Sequence, residues 1–248
     1  MRETAISVGS QEIPVHIADM TYLEDRDEQV LQFPAFRRWV ERNATFLTIQ
    51  NITIQSVDFF GPRVGFMKVK GDFLNSQGEQ VPGIALLTGG TIVLFVILSC
   101  EGEEYVVLVE QTRSAIGSSS FLELPAGMVD NHSFRGAAAM EIKEETGLEF
   151  REEEMIDLTA MVYGNDDPYI YFSAGRTDEK GKVYYVRRNI KMAEVNDLRG
   201  RIAGAQDEHE RTFVNLVPFR DLIRATRDSK TLFAAVLYNE VFHNSKRR

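Results

Sequence analysis

The chain has 248 residues, a hydrophobic fraction of 44% and a net charge of −9 at pH 7. That is enough for a real core, in one large domain or in a domain of about 150 residues with an extra piece. The acidic balance disfavours broad nucleic-acid binding, and the closing Lys246-Arg247-Arg248 is too short to alter this. Cys100 is the only cysteine, so there is no disulfide framework, and a reducing, cytoplasmic setting fits. No secretory signal opens the chain.

In chain order, a short strand is expected over 5–8, followed by an acidic stretch from Glu24 to Glu28. Phe33, Phe36, Trp39 and Val40 recur at helical spacing, with Pro34 in the first turn. Residues 45–60 and 64–74 alternate and are β-branched, so they read as strands, with turns at Gly61-Pro62 and at 75–78. Residues 84–100 are apolar, but Thr88-Gly89-Gly90-Thr91 breaks the run, so two strands explain it better than a membrane span. Further strands are expected over 91–98, 105–110, 121–124, 155–162, 169–172, 183–190 and 212–217. Loops are expected at 117–120 and 164–167, and a polar surface segment at 197–206. A helix opens at Pro218-Phe219, and 232–242 form the last one.

The most informative stretch is 122–150, LELPAGMVDNHSFRGAAAMEIKEETGLEF. Glu141, Glu144 and Glu145 stand at i, i+3 and i+4, which puts three carboxylates on one helix face. Such like charges repel, and a divalent cation with a preference for oxygen would offset the repulsion. A solvated acidic face is the alternative. Ser133 sits where an N-cap belongs, Gly147 where a C-cap glycine belongs, and the three alanines at 137–139 favour helix.

These residues resemble the Nudix box, G-x5-E-x7-R-E-U-x-E-E-x-G-U, with U aliphatic. Glu141, Ile142, Glu144, Glu145, Gly147 and Leu148 match its second half, and Gly127 matches its start one residue early. The box arginine is replaced by Met140, and its first glutamate falls near His132 or Ser133. Both members of that pair are missing together, so no orphaned charge is expected. The resemblance implies an α/β Nudix fold, an α/β/α sandwich with a mixed sheet, preceded by a β-rich extension. The division expected is 1–80 for the extension and 81–248 for the Nudix domain.

The wider resemblance is to ADP-sugar and ADP-ribose pyrophosphatases, closest to the plant-type enzymes around Asp58-Phe59-Phe60-Gly61 and Val81-Pro82-Gly83-Ile84. Glu110-Gln111-Thr112-Arg113 resembles the E-Q-x-R that precedes the box there, and an arginine fork suits a pyrophosphate. An arginine closing a strand is the plain alternative. The segment 174–179, ending in Glu179, resembles one that follows the box in that group.

That resemblance implies metal-dependent hydrolysis of a nucleotide sugar to a nucleoside monophosphate and a sugar phosphate. The metal is Mg²⁺, with Mn²⁺ as a substitute. Glu141 and Glu145 are the leading metal ligands, Glu144 is a third, and the Ala126 carbonyl is a further candidate. Asp207-Glu208-His209-Glu210 resembles the acidic loop of ADP-ribose pyrophosphatases, which implies Glu208 as base and Glu210 on the metal side. His209 competes as base because it titrates near neutrality, and Glu179 is an outside candidate. Arg113, Glu110 and Glu179 are the expected substrate contacts, and a homodimer is implied, with no nucleic-acid or membrane partner. The alternatives are hydrolysis of a dinucleoside polyphosphate or RNA cap, or a silent module that only binds a nucleotide or a protein.

Overall fold

The computed structural model describes residues 2–18, 25–128, 134–166, 168–204 and 211–244. The chain forms two compact units, Met1–Gly90 with Ser173–Glu179, and Thr91–Phe172 with Lys180–Arg248.

The first unit holds β1 (Arg2–Val8), β2 (Gln11–Ile17), α1 (Asp27–Leu31), α2 (Pro34–Ala44), β3 (Thr48–Phe60), β4 (Arg63–Leu74), β5 (Gln80–Val81) and β6 (Ile84–Leu87). Its sheet runs β1-β2-β3-β4-β5, with β6 also on β4. β2 and β3 are parallel, which requires a crossover, and α1 and α2 lie within that connection. Alternate residues Ile52, Ile54, Met67 and Val69 share a core with Val30, Phe36 and Val40 of the helices. Trp39 meets Phe73 at 5.3 Å between ring centroids. The strand expected over 5–8 is longer than anticipated and pairs along its length with β2, which the sequence reading lacked. Dividing the chain at 80 cuts this unit short, because β5 and β6 still pair with β4.

The segment Ser173–Glu179 completes the unit. Leu86 N donates to Arg176 O at 2.9 Å, and the Asp178 carboxylate accepts from Thr88 N at 2.7 Å and Gly89 N at 3.2 Å.

The second unit begins on β7 (Gly90–Cys100) and continues with β8 (Glu103–Arg113), β9 (Ser118–Glu123), β10 (Ala126–Met128), α3 (Phe134–Thr146) and β11 (Ile156–Asp157). Then come α4 (Leu158–Tyr163), β12 (Ile170–Tyr171), β13 (Lys180–Asn189), α5 (Met192–Leu198), β14 (Ile202–Ala203), β15 (Thr212–Pro218), α6 (Leu222–Ala225) and α7 (Ser229–Asn239). The sheet order is β11-β13-β7-β8-β15-β14, with β10 on β7, β12 on β13 and β9 on β8. β7 is apolar on both faces because both are covered. Ile92, Leu94, Val96 and Leu98 pack with Ala138 and Ile142 of α3 and Val195 and Leu198 of α5. Val93, Phe95 and Ile97 pack with Leu158 of α4, Leu222 of α6 and Ala234, Leu237 and Tyr238 of α7. This is the helix–sheet–helix sandwich that the box implied.

Three expected elements differ. The strand over 155–162 is only Ile156–Asp157 and then turns into α4. Asp157 redirects it, because its carboxylate accepts the Ala160 N–H at 2.9 Å and caps a helix that Gly164 closes at φ 82°. The loop over 117–120 is a turn at Gly117 followed directly by β9, whose Ser118 pairs with Arg113. The polar segment from 197 begins inside α5 and includes β14, with residues 205 and 206 outside the described range.

Candidate active site

α3 ends as the box spacing requires. Gly147 adopts φ 71°, and its N–H donates to Lys143 O at 2.9 Å, closing the helix in the left-handed region. Ala138 and Ile142 are buried against the sheet, and the same helix side brings Glu145 inward to 4% exposure. A buried carboxylate needs partners. Glu145 Oε2 accepts the Ala126 N–H at 3.1 Å. Glu141, one turn earlier, lies against Gly127 so closely that a Cβ there would fall 1.8 Å from its Oε1. Glu141 and Glu145 therefore converge on β10. Glu144 is exposed, so the three carboxylates do not share one environment.

β10 is held from its other edge. Pro125 O accepts from Leu94 N at 2.9 Å, and Gly127 O accepts from the Thr91 hydroxyl at 3.0 Å. Carbonyls alternate along a strand, so the Ala126 carbonyl falls on the opposite edge, where its own N–H meets Glu145. Two carboxylates and a backbone carbonyl on one edge suit a small oxygen-loving cation that keeps several waters. Among the described residues, no three His, Cys, Asp or Glu side chains form a metal cage by themselves.

The remaining expected residues are distributed unevenly. Ser133, Glu208, His209 and Glu210 lie outside the described residues, as do both positions proposed for the first box glutamate. The residues bracketing 205–210 are tied to the last turn of α3. Gly204 N donates to Glu144 O at 2.8 Å, and the Thr212 hydroxyl donates to Glu145 O at 3.1 Å. Glu110 on β8 accepts from the Ser120 hydroxyl at 2.5 Å and the Asn215 amide at 3.2 Å, bridging three strands. Glu179 belongs to the first unit. Met140 is 47% exposed, so arginine there would stand in water rather than in a partly buried position.

Sequence reading missed a charged cluster that joins β8 and β9 to the start of α7. Glu123 is 2% exposed, and its carboxylate accepts from Arg113 Nε at 2.6 Å and Lys230 Nζ at 2.9 Å. Burial pulls the Lys230 ammonium down, but Glu123 and Asp228 outweigh it and hold the group above its ordinary value. A glutamate between Leu122 and Leu124 was the available signal, a charge at an inward position of a strand.

The family model of the NUDIX domain matches residues 90–236. The chain belongs to the Nudix family. It is 37% identical over 195 residues to Nudix hydrolase 14, chloroplastic, of Arabidopsis thaliana, covering 77% of this chain and 63% of that one. The chain thus spans less than two thirds of that relative's length. A crystal structure of an ADP compounds hydrolase superposes with a TM-score of 0.56 at 15% identity, over 82% of this chain and 97% of the other, and so shares the fold. In Nudix terms, the second half of the box is the α3 face just described, and its opening glycine is the gap that admits Glu141.

Proposed function

We propose that this chain is a metal-dependent nucleotide-sugar pyrophosphatase, cleaving ADP-ribose or ADP-glucose to AMP and a sugar phosphate. The observation that carries the reading is the convergence of Glu141 and Glu145 on Ala126 and Gly127. Nudix hydrolases generally use divalent ions, and we take Mg²⁺ as the cofactor, with Mn²⁺ able to replace it. When bound, the ion neutralises the phosphate oxygens and acidifies a water. Glu141, Glu145 and the Ala126 carbonyl would hold it, with Glu144 contributing through water. Arg113 would orient the pyrophosphate through paired N–H donors. Glu110 is a further substrate contact in this reading. Glu208 would take the proton of the attacking water and Glu210 would serve the metal side. The anchoring of Gly204 and Thr212 on α3 supports this, because it holds both ends of their segment at the box helix. The structural neighbour's name, an ADP compounds hydrolase, agrees with this substrate class.

The test is a panel of ADP-ribose, ADP-glucose, other nucleotide sugars, dinucleoside polyphosphates and capped RNA with Mg²⁺. Release of AMP from an ADP-sugar supports the reading. Preference for a polyphosphate or cap moves the chain to another hydrolase class, and no turnover at all makes it a binding module. A homodimer is also proposed, on resemblance alone. Within the first unit, α1 and α2 cover the apolar face of β3 and β4. Light scattering at micromolar concentration decides the oligomeric state. A cytoplasmic setting rests on the single thiol, whereas the plant relative is named chloroplastic. Among the described residues no helix is long and apolar enough to cross a membrane. Imaging the tagged protein separates the two settings.

A further inference from the structure

We infer that Glu123 is a positioning residue that holds Arg113 in register with the Ala126–Gly127 edge of the site, and so acts on pyrophosphate binding through Arg113. The inference rests on the proposed function. Three consecutive residues immediately before the box loop are anchored to the segment that starts α7. Leu122 O accepts from the Thr226 hydroxyl, the Glu123 carboxylate accepts from Lys230 Nζ at 2.9 Å, and Leu124 N donates to the Thr231 hydroxyl at 3.2 Å. Asp228 fixes that start, accepting from Thr231 N at 3.0 Å and the Thr231 hydroxyl at 2.8 Å. Glu123 is thus immobilised from behind by a helix terminus that itself cannot shift without breaking several bonds.

The other oxygen of this carboxylate goes to Arg113. The pair is asymmetric, with Glu123 2% exposed and the Arg113 side chain 40% exposed. A purely structural ion pair at this depth is a weak source of stability, because desolvation offsets most of the attraction. A buried anion gripping Nε instead fixes the plane of a half-exposed guanidinium and keeps its other edge directed by the same contact. Glu123 is followed at once by Leu124-Pro125-Ala126-Gly127, so one residue ties the arginine to the strand that leads into β10. The cluster is balanced, with Glu123 and Asp228 against Arg113 and Lys230. The carboxylate can therefore serve both cations without an unpaired charge.

The experiment is a double-mutant cycle read by calorimetric binding of the α,β-methylene analogue of ADP-ribose in Mg²⁺. Glu123→Gln is expected to weaken binding about tenfold, as loss of one charge-assisted contact does. Arg113→Ala is expected to weaken it at least as much, and the double variant no further than Arg113→Ala alone. Lys230→Met removes one of the two anchors on the Glu123 carboxylate but leaves Arg113 on the other, so it lowers the melting temperature and weakens binding less than Glu123→Gln does. If Glu123→Gln fails to fold, it is made on the Lys230→Met background, where no stranded ammonium remains, and compared with that single variant. Additive losses, or parental affinity in Glu123→Gln, overturn the inference. Parental affinity in Arg113→Ala also overturns it while leaving the proposed hydrolase intact. A wild-type chain that does not bind the analogue removes the functional reading and this inference together.

Discussion

Replacing Gly127 by alanine isolates the geometry of the site from the stability of the fold. Gly127 does not need a positive φ, so alanine is acceptable to the backbone, and the whole effect is steric. The added Cβ would stand 1.8 Å from Glu141 Oε1, 1.9 Å from its Cδ and 2.5 Å from its Cγ. Real Cβ contacts essentially never fall below 3.0 Å, so the carboxylate must retreat by at least about 1.2 Å. The obstacle is a side chain, its Cγ as well as its carboxylate, that can swing away about its own torsions, so the expected cost in stability is about 1–2 kcal/mol. The cost in function is larger, because a misplacement of about 1 Å at a reacting centre can reduce rate about a hundredfold. Gly127→Ala should therefore unfold cooperatively near the parental temperature while hydrolysing ADP-ribose about two orders of magnitude more slowly in saturating Mg²⁺. Calorimetry and an AMP-release assay on one preparation measure both. Parental turnover would refute the placement of Glu141 as a ligand at this loop, and loss of the folded state would show that the contact is structural instead.

Glu145→Gln keeps shape but removes charge, and turnover should fall at least about a hundredfold; near-normal turnover in saturating Mg²⁺ would sink the metal assignment. Met140→Arg should change stability by no more than about 0.5 kcal/mol, because the position is 47% exposed; a large drop in urea midpoint would show that the side chain is forced inward. Burial, with Tyr238 beside it, pushes the Tyr185 phenol up to about 12. A raised folded value adds stability that is complete below the ordinary tyrosine range near 10 and is lost as pH rises through about 12. Tyr185→Phe should therefore flatten alkaline destabilisation in that window, read as ultraviolet phenolate absorbance alongside circular dichroism. An unchanged alkaline profile would contradict it.

Sequence alone determined the box helix and its C-terminal end. Glu141 and Glu145 are four apart, Ile142 lies between them on the buried side and Gly147 stops the helix, all through local periodicity and backbone preference. It also determined β3, β4, β7 and α2, whose alternating or helical apolar patterns are strong enough to stand alone. Residues 155–162 were not legible as helix, since one capping carboxylate at Asp157 overrode an apolar run with ambiguous period. The tertiary structure alone decided which neighbours share an environment. It separated buried Glu145 from exposed Glu144, although both belong to one motif, because only Glu145 lies over the Ala126 N–H. It joined Glu123 to Arg113 and to Lys230, a partner 107 residues away, and it placed Ser173–Glu179 in the first unit. Pairings of that kind depend on how strands and helices stack across the chain, and no local pattern of residues encodes them.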